Sequence, residues 1–175
     1  MIDITQELFS CAVYPGDTPP SRTLVRSIAG GDGCNLTDLS LCAHNGTHLD
    51  APSHFVAGGR DVDEVDLSRL MGECLVCTCE QARALPDTAR LLIKGECLLD
   101  EETAERFAKK YLLVGCEGQS IGDERVHFAL LSREVAVLEG LRLCEVREGK
   151  YRLLALPMKL GGCDGAPVRA VLCEL

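Results

Sequence analysis

The chain has 175 residues, 46% hydrophobic and 26% charged, which is the make-up of a soluble globular protein able to bury a substantial core. Its formal net charge of −9, with the basic residues scattered, excludes the basic patch that a nucleic acid or an anionic membrane surface demands. No window approaches ~18 consecutive apolar residues, and the start, MIDITQELFS, lacks a basic stretch followed by an apolar one. The expectation is a single domain over 1–175, cytoplasmic, with neither nucleic acid nor membrane as a partner.

In chain order, IDITQEL opens as a short strand, and YPGDTPPS is a proline-rich turn in which Asp17 is a turn former first and a pocket residue second. RTLVRSIA is a second strand and GGDG a turn. TDLSLCAH then alternates, with Thr37, Leu39, Leu41 and Ala43 on one side and Asp38, Ser40, Cys42 and His44 on the other. That period of two predicts a half-buried strand. ECLVCTCE and ARLLIKGE are further strands. LDEETAERFAKKY is the clearest helix, with Asp100 as its N-cap, acids in the first turn and lysines in the last. YLLVGCE follows as a strand and DERVHFALLSRE as a second helix. VAVLEG, YRLLALPMKL and PVRAVLCEL complete a strand-rich C-terminal third. There, GGCDG reads as a tight turn first and a substrate loop second, and Arg169 is expected to pair with an acid at a subunit contact. Strands outnumber helices, which predicts a mixed α/β fold: a curved, barrel-like sheet with a few outer helices.

The 11 cysteines do not read as a disulfide framework, because the number is odd and most lie in apolar runs such as LVCTC and LLVGC. They are expected to be reduced thiols packed as small apolar side chains. Cys74 and Cys77 have C-x-x-C spacing, but no second pair or nearby histidine completes a zinc knuckle.

The stretch HNGTHLDAPSH concentrates three of the four histidines, together with an aspartate, in residues 44–54. His44, His48, Asp50 and His54 are all even-numbered, so an extended chain would point them to one side. Gly46 falls on that side too and leaves room for an ion, while Pro52 stiffens the chain before His54. A helix would also join His44 to His48, but Gly46 and Pro52 oppose it. Two imidazoles and a carboxylate suit zinc, manganese or iron, with open positions for water. The remaining histidine, His127, lies in a predicted helix 12 residues before Glu139 at the end of VAVLEG. A buried Glu139 needs a cation or hydrogen-bond partners. A second metal held by Glu139 and His127, with Asp50 bridging, is one arrangement; an exposed strand-end acid beside an unrelated helix histidine is the other.

HNGTHLDAPSHF resembles the H-x-G-T-H-x-D-x-P-x-H-F signature of the cyclase-like metal-dependent hydrolases, which include bacterial kynurenine formamidase and isatin hydrolase. YPGDTPPS, VHFALLSREVAVLEGLRL and LPMKLGGCDGAPVRAVL are similar to further blocks of that family, in the same order. The resemblance implies His44, His48 and Asp50 on one divalent cation, and Asp50, His127 and Glu139 on a second, with zinc ahead of manganese. It implies His54 as the catalytic acid/base, a swivelling β/β/α type of fold, and a homodimer or higher homo-oligomer. Tyr14, Asp17 and Phe55 are the candidate substrate-binding residues. Glu117 and Gly122 stand where formamidases carry aspartates.

The expected activity is hydrolysis of a small-molecule amide, formamide, cyclic amide or ester, with N-formyl-L-kynurenine as the leading substrate. A metal-bound water acidified from ~15.7 to about 7 would attack, and His54 would shuttle the proton. Two other classes compete: a metal-binding or redox-sensing protein without turnover, and a structural oligomer whose histidines close an interface. Thr47 is expected to hold either a ligand or the backbone.

Overall fold

A computed structural model describes residues 1–175. Ten strands are present: β1 (Ile2–Asp3), β2 (Ser21–Arg26), β3 (Leu36–Ser40), β4 (His48–Asp50), β5 (Met71–Thr78), β6 (Arg90–Lys94), β7 (Leu113–Cys116), β8 (Ala136–Glu139), β9 (Gly149–Pro157) and β10 (Gly165–Cys173). The helices are α1 (Cys79–Arg83), α2 (Glu101–Ala108) and α3 (Glu124–Leu131).

The residues that begin α2 and α3 explain where those helices start. Asp100 accepts the Thr103 N–H at 2.8 Å, as expected of an N-cap, and Asp123 accepts those of Arg125 and Val126 at 3.0 and 3.1 Å. Short crossovers carrying α1, α2 and α3 make β5, β6, β7 and β8 run parallel to one another. Antiparallel β4, β10 and β9 then lead from β8 back to β5, so the order β10-β4-β8-β7-β6-β5-β9 closes on itself as a 7-strand barrel. β1 adds to the open part of β10's edge. This is the mixed, barrel-like α/β architecture expected.

Alternation along the strands separates two cores. Leu49, Leu92, Leu113, Leu138 and Leu153 fill the barrel interior. Leu91, Ile93, Val114 and Val137 face outward against Phe107 of α2 and Leu130 of α3. Strands covered on both faces are apolar without interruption, which is why RLLIK and YLLVGCE show no polar face. Parity therefore turns His48, Asp50 and Glu139 to the outer, helix-covered side of the sheet.

Two readings of the sequence need correction here. β3 is not half-buried: it pairs only with β2, and the hairpin stands clear of both cores with Leu24, Leu36 and Leu39 exposed. Its alternation describes a ribbon whose faces nothing in the same chain covers. Arg169 does not need a neighbouring subunit either, because its Nε donates to Asp3 of the same chain at 3.0 Å.

The thiol expectation also fails at one pair. Cys79, opening α1, is disulfide-bonded to Cys97, and the other nine cysteines are free. The parallel pairing of β5 with β6 brings the ends of these strands together, and with them two cysteines separated by 18 in sequence.

Candidate active site

β4 is the hub of the site. Its register places His48 opposite Glu139 of β8 on one edge and Pro167 of β10 on the other. Alternation then puts His48 and Asp50 on the face that looks toward α3, where His127 lies. His48, Asp50, His127 and Glu139 are all buried, none more than 4% exposed.

The two buried imidazoles are oriented by backbone carbonyls. Nδ1 of His48 donates to the Gly46 carbonyl at 3.0 Å, and Nδ1 of His127 donates to the Asp123 carbonyl at 2.9 Å. Each ring thereby turns its Nε2 toward the carboxylates. His48 Nε2 lies 3.4 Å from Asp50 Oδ1 and 3.5 Å from Glu139 Oε2. His127 Nε2 lies 3.1 Å from Glu139 Oε1 and 3.6 Å from Asp50 Oδ2. Imidazoles whose far N–H is tied to a carbonyl while Nε2 faces acidic oxygens have the orientation of metal ligands.

Electrostatics point the same way. Burial opposes charge on His48, yet the Asp50 and Glu139 carboxylates overcome it and push its pKa up to about 10. His44 and His127 are raised against the same burial penalty, by Asp50 and by Glu139 respectively. Burial alone would neutralise Asp50, but the His44 and His48 rings outweigh it and hold the carboxyl well below its ordinary range. Two buried carboxylates demand positive charge, supplied either by protons on the imidazoles or by a divalent cation. Asp50 Oδ2 is buried with no hydrogen-bond partner. A cation would satisfy it, and the donor sets His44–His48–Asp50 and Asp50–His127–Glu139 are each gathered closely enough to share one.

His44 and His54 complete the cluster but do not belong to an extended strand. Only His48–Asp50 is strand; residues 44–46 form a turn and Pro52–His54 a short 3-10 turn. The parity argument thus holds for His48 and Asp50, while tertiary folding brings in the other two. His44 Nδ1 lies 3.0 Å from Asp50 Oδ1, and the His44 and His54 rings stack with centroids 4.0 Å apart. Gly46 serves the turn rather than an ion: its φ is +67°, and a Cβ there would face Leu8 and Cys11. Thr47 takes the backbone role, donating to the Gly140 carbonyl at 2.6 Å and accepting the Gln6 N–H at 2.9 Å.

Beside the cluster opens a cavity of about 420 Å³. Tyr14, Asp17 and Phe55 all lie on its wall, together with His54, Gln119, Ser120 and Asp123. Phe55 stacks on His127 with centroids 4.7 Å apart and meets His54 edge-on at 4.4 Å. Residues 117–122 form the loop behind the cluster, and the Ile121 N–H donates to Glu139 Oε1 at 2.7 Å. Glu117 staples that loop by accepting the N–H groups of Gly95 and Leu143, each at 2.6 Å. Gly122 packs so tightly on Val126 that a Cβ would come within 2.7 Å, leaving no room for an aspartate.

The structure adds a site residue that the sequence does not single out, Asp164. Its Oδ2 lies 3.1 Å from His44 Nε2 and 3.0 Å from His54 Nδ1. The only signal was an acid inside GGCDG, where glycine and aspartate already account for a tight turn.

Residues 2–119 match the Cyclase family, described as "Putative cyclase". The chain belongs to the Cyclase family. It is 33% identical over 190 residues to the kynurenine formamidase of Polaromonas naphthalenivorans (strain CJ2), spanning 93% of this chain and 85% of that protein. Among solved structures, this Cyclase-family chain is similar to one described as a potential metal-dependent hydrolase with cyclase activity. The TM-score there is 0.81 at 29% identity, covering 97% of this chain and 95% of the other. Isatin hydrolase A from Labrenzia aggregata shares the fold, with a TM-score of 0.76 at 18% identity over 98% of this chain and 92% of that one.

Proposed function

We propose that this Cyclase-family hydrolase cleaves a carbon–nitrogen bond outside a peptide in a small aromatic formamide or amide, with N-formyl-L-kynurenine as the first candidate. The kynurenine formamidase relative and the metal-dependent hydrolase neighbour support the class. The carrying observation is the pair of buried imidazoles, each tied by Nδ1 to a carbonyl and turned by Nε2 onto two buried carboxylates. His44, His48 and Asp50 would hold one cation and Asp50, His127 and Glu139 a second, with zinc the first candidate and manganese the next. A divalent cation there would polarise a carbonyl and acidify water.

The chain's own groups do the rest. His54 is the most accessible imidazole of the cluster and lines the cavity, which supports its reading as the acid/base that takes the water proton and returns it to the leaving nitrogen. Tyr14 and Phe55 offer aromatic surface to a planar substrate, and Asp17 a polar contact at the rim. The cavity suits a small molecule rather than a polymer. Assembly as a homodimer or higher oligomer is part of this reading, supported by the bare apolar hairpin β2–β3.

Three preparations test the reading: wild type, His54→Ala and Asp50→Ala, each loaded with zinc, dialysed and measured for metal content. They are then assayed on N-formylkynurenine, isatin and simple aryl amides. Wild type should retain stoichiometric zinc and turn over at least one substrate. His54→Ala should retain the metal and lose rate by about 10²–10⁴-fold, the usual share of general acid–base catalysis. Asp50→Ala should lose both. Wild type without stoichiometric metal would end the hydrolase mechanism and favour a structural role for the histidines. Unchanged turnover in His54→Ala would remove that residue from the chemistry.

A further inference from the structure

Asp164 ends the turn between β9 and β10, and the turn is held firmly against the segment that leaves β4. The Asp164 carbonyl accepts the Ala51 N–H at 2.8 Å, and the Cys163 carbonyl accepts that of Val62 at 2.8 Å. The next residue, Gly165, is register-paired with Asp50. Only glycine fits there, because a Cβ would come within 2.7 Å of His44 Cε1 and 2.8 Å of the Leu49 carbonyl. The backbone therefore fixes a carboxylate beside two stacked imidazoles, 110 residues away from His54 in sequence.

We propose that Asp164 is a positioning residue for His54: its Oδ2 accepts the Nδ1–H, fixes the neutral tautomer that leaves the lone pair on Nε2, and balances the charge the ring gains on protonation. This rests on the reading of His54 as acid/base. In the reaction the water oxygen bonds to the carbonyl carbon while its proton passes to His54 Nε2. The carbon–nitrogen bond then breaks, and the same proton goes to the departing nitrogen. Asp164 stays ionised throughout, as an orienting carboxylate behind a histidine base does. The geometry admits two rivals. The same oxygen faces His44 Nε2, so Asp164 could serve the metal through His44, and His44, His54 and Asp164 are themselves close enough to hold a cation.

The test combines Asp164→Asn and His54→Ala, singly and together, with zinc content, kcat and KM on the substrate that wild type accepts. A long-range ¹H–¹⁵N imidazole spectrum of metal-free and zinc-loaded protein reports the His54 tautomer without any substrate. Wild type should show the Nδ1–H form, and Asp164→Asn a mixture. Asp164→Asn should retain zinc and KM and lose kcat by about 10–100-fold, as partners behind first ligands do. In the His54→Ala background it should cost nothing further. Loss of zinc in Asp164→Asn would assign the carboxylate to the metal instead. A full additional loss in the double variant would overturn the positioning role while leaving His54 as acid/base. An indifferent His54→Ala would remove the acid/base reading, and this inference with it. Nε2–H as the wild-type tautomer would overturn the inference even if Asp164→Asn does not fold.

Discussion

At the scale of single residues, burial decides what a side chain can do. Eleven cysteines look alike in the sequence, yet their surroundings divide them sharply. Burial pushes Cys74 up to about 12 and Cys77 up to about 11. Cys116 is also raised well above the ordinary thiol range, by burial first and then by the charges of Glu139 and Asp50 behind the cluster. Thiolate is the reactive form, so these three should be inert in the folded protein. Cys34 and Cys144 are exposed and should react first. Maleimide labelling followed by peptide mass mapping should find label at Cys34 and Cys144 in native protein, and at Cys74, Cys77 and Cys116 only after denaturation. Native labelling of Cys116 would mean that the back of the cluster opens.

At the scale of elements, the two capped helices offer a matched pair. Asp100 and Asp123 perform the same local task; the Asp100 cap is legible in the sequence because a cap is a feature of neighbouring residues, and the structure adds Asp123. Either substitution to alanine should cost about 1 kcal/mol. In a chain of this length that lowers Tm by about 2–4 °C. The consequences for the site should differ. α3 begins at Asp123 and carries His127, whose Nδ1 is tied to the Asp123 carbonyl, whereas α2 carries no site residue. Zinc affinity measured by competition with a chelator should fall in Asp123→Ala and stay unchanged in Asp100→Ala. Equal affinity in both would show that the helix start does not govern the ring. β3 teaches the opposite lesson: the alternation of TDLSLCAH predicts a half-buried strand, and the strand found is Leu36–Ser40 with every residue exposed, because periodicity reports two unlike faces but not what covers either.

At the scale of the whole molecule, barrel closure protects every long strand edge except that of the hairpin β2–β3. A two-stranded ribbon is marginal by itself in water, and this one exposes Leu24, Val25, Leu36 and Leu39. A second copy covering it would bury that surface. Sedimentation velocity should show wild type as a dimer or larger, and Leu24→Asp with Leu39→Asp should shift it toward monomer while the core stays folded. A wild-type monomer at micromolar concentration would leave the hairpin without that role.

What the sequence determined by itself was local. Most of the strands, the helices α2 and α3, the Asp100 cap, the candidate ligands and the family signature rest on residues within a few positions of one another, where periodicity and short-range chemistry suffice. Only the tertiary structure decided two partnerships, Asp164 behind His54 and Cys79 bonded to Cys97, and it gave Glu139 and His127, joined in the sequence only by the family resemblance, their contact at 3.1 Å. Those pairings depend on the register of strands brought together by barrel closure. No local pattern encodes which distant side chain a register will set opposite another.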